Sequence, residues 1–312
     1  MFRWIKGVIG ILFLAALAAC GGGDDDHPAQ TPNIVQAAQQ DGRFSVLVDA
    51  VQAAGLTDTL SAPGPVTVFA PTNDAFAALL AELGVSKDQL LSNKPLLTAV
   101  LKYHVVAGSV SSAQIPLGKA VTPVAGGFFK VDKTGADLLI TDGRNRSSKI
   151  VQADIAASNG IIHAIDKVLL PPDKTIVQTA AANPNFSILV EAVNAAGLGT
   201  TLGGAGPFTV FAPTNAAFAA LLTELGITKD QLLADKALLT KVLTYHVVPA
   251  LVLKADVQFN TPVKTVEGET FEVSQALAIT DRRGRKANIT ATDILASNGA
   301  IHVVDKVILP GP

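Results

Sequence analysis

The amino-acid sequence predicts an α+β fold built twice in tandem, and three observations predict it. Residues 44–106 overlay residues 186–248 at a constant offset of 142, with 45 of the 63 aligned pairs identical, so the chain is a duplication. In the first half of each copy, apolar residues recur at helical spacing: Phe44, Leu47, Val48 and Val51, then Phe76, Leu79, Leu80 and Leu83, repeated at 186–193 and 218–225. In the second half the pattern changes to β-rich runs, with the turn dipeptides Asn159-Gly160 and Asn298-Gly299 feeding strands expected over 161–170 and 300–309.

Each element has a local cause. The run Val66-Thr67-Val68-Phe69 leads into Pro71-Thr72-Asn73, a strand end followed by a polar helix cap. Gly84 and Gly226 stop one helix, and Ser86-Lys87-Asp88-Gln89 and Thr228-Lys229-Asp230-Gln231 are capping boxes that start the next. A change of length falls between residues 115 and 139, after which register resumes at an offset of 139, as Ile140-Thr141-Asp142 against Ile279-Thr280-Asp281 shows. A period near 140 is a domain rather than a solenoid unit, which places domains at 33–172 and 173–312. The seam Pro171-Pro172-Asp173-Lys174 carries two prolines with fixed φ, so the joint is short and stiff.

The first 32 residues carry an address and a tether. Residues 1–19 combine Arg3 and Lys6 with an uncharged apolar run of 13 residues, shorter than the roughly 20 that span a bilayer, and read as an export signal. Leu17-Ala18-Ala19-Cys20 resembles the lipobox of bacterial lipoproteins, in which cleavage precedes the cysteine and its sulfur takes up lipid; Cys20 is the one cysteine of the chain. Residues 20–32 then read as the lipidated cysteine and a flexible polar tether. Glycine rather than aspartate after Cys20 leans toward the outer membrane. Removal of residues 1–19 leaves 22 Lys+Arg against 26 Asp+Glu, a charge of −4, which argues against nucleic acid as a partner. A lone cysteine also excludes intramolecular disulfides, Cys-ligated zinc and a thiol nucleophile in the folded domains.

Three motifs, each present twice and in the same order, carry a family resemblance. Thr67-Val68-Phe69-Ala70-Pro71-Thr72-Asn73-Asp74-Ala75-Phe76 and its twin at 209–218 resemble the first signature segment of the fasciclin-type (FAS1) domain. Tyr103-His104 and Tyr245-His246 resemble its central Tyr-His motif, and Asn159-Gly160-Ile161-Ile162-His163-Ala164-Ile165-Asp166-Lys167-Val168-Leu169 with 298–308 resembles its second signature. The resemblance implies helices packed on a β-sandwich-like pair of sheets, and an extracellular adhesion or matrix-binding module without catalysis or cofactor.

The repeated histidines and tyrosines invite a metal or acid–base site, but each domain offers too few ligands, and strand alternation places His163 and Asp166 on opposite faces. They are expected as hydrogen-bonded core residues. No Gly-x-Ser-x-Gly, phosphate loop or His-Glu-x-x-His occurs, so there is no catalytic residue to name. Candidate partner-binding positions are the basic hairpin tips, Arg144 and Arg146 in one copy and Arg282, Arg283 and Arg285 in the other, together with Asp154-Ile155, Asp293-Ile294 and the pairs Tyr103-His104 and Tyr245-His246. The expected protein is a lipoprotein held to a membrane through Cys20, binding a cell-surface protein, glycan or matrix polysaccharide. The alternatives are a periplasmic small-ligand or metal-binding module, with a pocket near Tyr103, His104 and His163, and a structural envelope spacer.

Overall fold

The computed structural model describes residues 31–312; the export signal, Cys20 and all but the last two residues of the tether lie outside the described residues. The first copy runs α1 (Ile34–Gln40), α2 (Ser45–Ala54), α3 (Thr57–Ser61), β1 (Val66–Pro71), α4 (Asn73–Leu83), α5 (Lys87–Ser92), α6 (Lys94–Tyr103), β2 (Val105–Ala107), β3 (Ala120–Val121), β4 (Phe129–Thr134), β5 (Asp137–Thr141), β6 (Ser147–Ala157) and β7 (Gly160–Ile165). The second copy repeats this order as α7 (Ile176–Ala181), α8 (Ser187–Ala196), α9 (Gly199–Gly203), β8 (Phe208–Pro213), α10 (Asn215–Leu225), α11 (Lys229–Ala234), α12 (Lys236–Tyr245), β9 (Val247–Val248), β10 (Pro262–Lys264), β11 (Thr270–Val273), β12 (Ala278–Thr280), β13 (Lys286–Ala296) and β14 (Gly299–Val304).

The expected helix signals act as such. Thr72 and Thr214 accept from the N–H groups of Ala75 and Ala217 at the starts of α4 and α10, both of which end at a left-handed glycine. Ser86 and Thr228 form complete capping boxes at α5 and α11. These contacts satisfy amide donors that a helix start otherwise leaves open.

In each copy the strands form one seven-stranded sheet, in the order β2-β1-β7-β6-β5-β4-β3 and its counterpart β9-β8-β14-β13-β12-β11-β10. The β-sandwich-like pair of sheets expected from the resemblance is present as the two halves of this sheet, joined through one shared strand and folded over a common core. The long strand β6 belongs to both halves: it pairs with β5 through Ser147, Ser148 and Lys149, and with β7 from Ile150 onward across register shifts that bend it. β1, embedded in sequence among helices, pairs parallel to β7 from Val66 against Gly160 to Pro71 against Ile165. That pairing demands glycine, because a Cβ on Gly160 would sit 1.8 Å from the Val66 carbonyl oxygen, and one on Gly299 the same distance from that of Phe208.

Two cores result in each copy. The first fills the space between helices and sheet with Phe44, Leu47, Phe76, Leu79, Leu97, Leu101, Ile162 and Ala164. The second lies inside the folded sheet and contains Phe69, Tyr103, Phe129, Val131, Ile140 and Ile165. Alternation along β7 sends Ile162 and Ala164 to one core and Ile165 to the other, with the His163 ring 5.3 Å from that of Phe69. Each large apolar side chain so buried stabilises the fold by roughly 1.5–3 kcal/mol.

Two expectations change in extent. The strands expected over 161–170 and 300–309 end at Ile165 and Val304, and the next residue, the exposed Asp166, accepts the Lys149 N–H with its carboxylate. The length change lies in the β4–β5 hairpin: Val131 pairs with Ile140 across nine positions, whereas Val273 pairs with Ile279 across six.

Residues Pro32–Pro312 form one compact unit, and the two copies meet head to tail. Phe128 of the first copy packs with Leu253, Leu295 and Ala300 of the second. Lys130 Nζ donates to Asp293 Oδ2 at 2.8 Å, with side-chain exposures of 12% and 3%. Asn145 donates to the Leu295 carbonyl at 3.0 Å and accepts the Leu295 N–H at 2.6 Å.

Candidate functional site

The Tyr-His motif is placed by the end of α6. Tyr103 is the last residue of the helix, and the next residue, His104, is its C-cap. Tyr103 turns into the folded sheet and donates its hydroxyl to the Phe128 carbonyl at 2.6 Å; Tyr245 donates likewise to Thr270 at 2.9 Å. Burial pushes both phenols well above their ordinary range. His104 Nδ1 contacts the Val100 carbonyl at 2.7 Å, and its Nε2 accepts the Leu169 N–H at 2.8 Å. His246 makes the same pair of contacts, to Val242 at 2.8 Å and Ile308 at 3.1 Å. An Nε2 that accepts a backbone N–H fixes the neutral tautomer with hydrogen on Nδ1. Burial pushes both imidazoles down to about 4.

The second pair of histidines uses the opposite tautomer. His163 Nδ1 accepts the Asp154 N–H at 3.2 Å and Nε2 reaches the Val110 carbonyl at 3.0 Å; His302 does the same with Asp293 and Val252 at 3.3 and 2.9 Å. Burial holds the His302 imidazole below its ordinary value. All four histidines thus spend both ring nitrogens on backbone groups. His163 and Asp166 do not meet, as the parity of the strand requires. Among the described residues, no group of three His, Cys, Asp or Glu side chains is placed to hold a metal ion.

The burial of these residues corrects part of the site expected from sequence. Tyr103, His104, Tyr245 and His246 are at most 1% exposed, so no partner can touch them. The void that His104 borders measures about 30 Å³, room for a water rather than a ligand, and neither Tyr103 nor His163 lines it. Ile155 and Ile294 pack against the helix-side cores. Asp154 and Asp293 occupy positive-φ positions at the bend of β6 and β13. Asp154 accepts from both the N–H and the hydroxyl of Ser112, whose hydroxyl first of all holds its carboxyl below the usual range. Asp293 accepts the Lys254 N–H and faces Lys130, so its partner is the sister domain. At Lys130, burial opposes the charge, and the Asp293 and Asp132 carboxylates outweigh it and hold the ammonium above its ordinary value.

The basic tips are organised from within by Asp142 and Asp281, which sequence reasoning left unassigned. Asp142 accepts the N–H groups of Arg144, Arg146 and Leu170 together with Arg146 Nε, all between 2.9 and 3.0 Å. Arg146 also reaches Glu82 at 2.9 Å and the Val168 carbonyl. In the second copy, Arg285 lies 3.9 Å from Asp281 and donates to Val307, while Arg283 donates to Pro310. Arg144 pairs with Asp173 at 3.3 Å, and Arg282 lies 3.6 Å from Glu269 while remaining largely exposed. The signal that finds Asp142 is the recurrence of Ile-Thr-Asp before each basic turn.

The second copy also contains a cleft of about 220 Å³ in the side of its folded sheet, lined by Phe211, Val252, Val257 and Val273 with Asp256, Gln258 and Thr261.

Comparison with known proteins accounts for this doubled architecture. The fasciclin domain model matches residues 42–171 and again residues 184–310. The chain belongs to the fasciclin-domain family. Its fasciclin domains are 32% identical over 257 residues to transforming growth factor-beta-induced protein ig-h3 of Oryctolagus cuniculus, an alignment covering 82% of this chain and 36% of that protein. The chain thus spans about a third of the length of that relative. Protein sll1483 of Synechocystis is 46% identical over 142 residues, which covers 45% of this chain and 73% of that one. Among solved structures, the fasciclin domain pair from the insect cell adhesion molecule fasciclin I covers 86% of this chain and 98% of its own, at 21% identity and a TM-score of 0.44.

Proposed function

We propose that this fasciclin-family chain is a non-catalytic adhesion or binding protein, exported and tethered to a membrane through Cys20, more specifically the outer membrane, that presents two domains to a cell-surface protein, glycan or matrix polysaccharide. The observation that carries this reading is the joint formed by Lys130 with Asp293 and Asn145 with Leu295. It holds two copies of one surface at one spacing, the arrangement from which weak single contacts gain avidity. The fasciclin-domain relatives support binding rather than catalysis. The four histidines among the described residues support it too, since each spends both ring nitrogens on backbone groups. On each surface, contact falls to the basic tips, with Arg282 the most exposed, Arg144 and Arg283 lying exposed over the Pro171 and Pro310 carbonyls, and Arg146 and Arg285 shaping the turn. Among the described residues, no helix is long and apolar enough to cross a membrane.

The test is binding of polypeptide 32–312 to intact cells and to extracted envelope polysaccharide at rising salt. Binding that weakens with salt, and falls further in Arg144→Ala/Arg282→Ala than in either single variant, is the expected result. A second reading, a small-ligand module, is favoured by the 220 Å³ cleft of the second copy. It predicts stabilisation that grows with ligand concentration. Thermal stabilisation by a small molecule, with no binding to any surface, would replace the adhesion reading with that one.

A further inference from the structure

The duplication supplies an internal control for the joint, because each residue that makes it has a counterpart on the opposite, outward face of the other copy. The joint is heterologous: the β4 side of one domain meets the β6-bend side of the next. Contacts of that kind, when repeated without closure, generate open chains of subunits. The first copy therefore exposes its own β6-bend side, and the second its own β4 side, to solvent or to another molecule.

Structural equivalence is fixed by shared contacts. The Tyr103 hydroxyl donates to Phe128 where that of Tyr245 donates to Thr270, so Thr270 replaces Phe128. β4 Lys130 pairs with Thr141 as β11 Glu272 pairs with Thr280, so Glu272 replaces Lys130. Asn145 and Gly284 hold the same positive-φ place in the basic turn, with φ of 61° and 72°. On the other side, Ser112 and Lys254 donate their N–H groups to Asp154 and Asp293, which makes Ser111 the counterpart of Leu253. Ala156 pairs with Ile161 where Leu295 pairs with Ala300, so Ala156 replaces Leu295 and Ile161 replaces Ala300.

Every class of interaction in the joint is removed at the outward faces. The apolar plug is lost, because Phe128 becomes Thr270 and its leucine receptors become Ser111 and Ala156. The hydrogen-bonding fork is lost, because Gly284 has no side chain to replace the Asn145 amide. The ion pair is inverted, because Glu272 would face Asp154, and like charges at close range repel. The Asp293 oxygen that takes Lys130 corresponds to the Asp154 oxygen already taken by the Ser112 hydroxyl. A duplicated domain that had kept both faces would be sticky at each end; this one keeps the face once and disables it twice.

We propose that the chain encodes a single-use head-to-tail joint, with Glu272, Thr270 and Gly284 at one end and Ser111, Ser112 and Ala156 at the other acting as stops against its propagation into strings. Association through this joint is thereby confined to the one contact inside the chain, whatever the two domains bind.

The test uses polypeptide 32–312, the compact unit, in sedimentation velocity. The unaltered polypeptide is expected to stay monomeric as its concentration is raised a hundredfold. A head variant, Thr270→Phe/Glu272→Lys/Gly284→Asn, and a tail variant, Ser111→Leu/Ser112→Lys/Ala156→Leu, each checked for folding by circular dichroism, are expected to remain monomeric alone and to double in mass when mixed. All six substitutions in one chain are expected to give a mass that keeps rising with concentration. Folded head and tail variants that do not pair on mixing overturn the assignment of the stops. Concentration-dependent growth of the unaltered polypeptide overturns the proposal independently of whether any variant folds.

Discussion

The ring of His104 accepts the Leu169 N–H at 2.8 Å on Nε2 while its Nδ1 meets the Val100 carbonyl at 2.7 Å, bridging the end of α6 to the segment that follows β7. His246 repeats the bridge between Val242 and Ile308. Protonation of Nε2 removes the acceptor and places a charge in a fully buried site, and burial accordingly lowers both groups to about 4.

The sign of the pH dependence follows. A histidine lowered in the folded state binds its proton more readily when unfolded, so its contribution is complete above about pH 6.5 and is lost as pH falls toward 4. Each of the two is expected to remove up to about 3 kcal/mol across that window. Urea unfolding at pH 7.5, 5.5 and 4.5 checks this; His104→Phe should be less stable at pH 7.5 and lose less on acidification, and an unchanged midpoint from pH 7.5 to 4.5 would contradict it.

Gly160→Ala places a Cβ 1.8 Å from the Val66 carbonyl in the parallel β1–β7 pair, where neither backbone can give way. A loss of more than about 3 kcal/mol is expected, or failure to fold. Gly42→Ala, with nothing within 4 Å of the added atom, serves as the control and should leave the melting temperature within a degree or two.

Asn159 ties three segments together: its Oδ1 accepts the Ile34 N–H and its Nδ2 donates to Leu60 and Ala62. Asn159→Ala strands these partners and is expected to cost about 2–4 kcal/mol. Asn298→Ala is expected to match it, since Asn298 makes the corresponding three bonds to Ile176, Leu202 and Gly204. Denaturant unfolding of both variants tests the equivalence.

Asp142→Ala removes the acceptor for four donors and leaves Arg146 without its inner partner, at an expected cost of about 3–5 kcal/mol. Because the same turn positions Asn145, this variant should also weaken the joint. Small-angle scattering is expected to show a wider distribution of interdomain distances, an effect absent from Asp281→Ala, whose turn carries Gly284 instead.

Lys130→Ala leaves Asp293 buried and without its ion pair, which is expected to cost about 3–5 kcal/mol and to separate the unfolding of the two copies into two steps. Calorimetry distinguishes one transition from two. A single unshifted transition would show that the ion pair contributes nothing to the joint.

Much of the fold was legible because it rests on local chemistry. Thr72, Ser86 and Thr228 cap helices where their spacing says they should, since a cap acts within three residues. The alternation that separates His163 from Asp166 is a property of any extended strand. The site was less legible. The histidines sit in the core on backbone partners, as expected, but the Tyr-His pairs also offered as a binding surface are closed to it, and Arg146 and Arg285 serve carbonyls and the buried carboxylates of Asp142 and Asp281, because a polar side chain in an apolar setting is retained for the partner it finds inside. Sequence spacing does not reveal which side of a turn faces water. Asp142 was overlooked for the same reason: its four donors come from residues up to 28 positions away.

What the sequence determined by itself is the duplication, the order of helices and strands, and the family, all of which follow from periodicity and from motifs read along the chain. Tertiary structure alone decided that the strands close into one folded sheet through the bend of β6, which backbone groups the core histidines meet, and that the copies lock through Lys130 and Asp293 across 163 residues. The physical reason is one of range. Caps, turns and face alternation are set by neighbours, whereas burial and pairing depend on which distant surfaces meet. In a duplicated chain the same residue type at equivalent positions, Asp154 and Asp293, acquires different roles purely from what lies across from it.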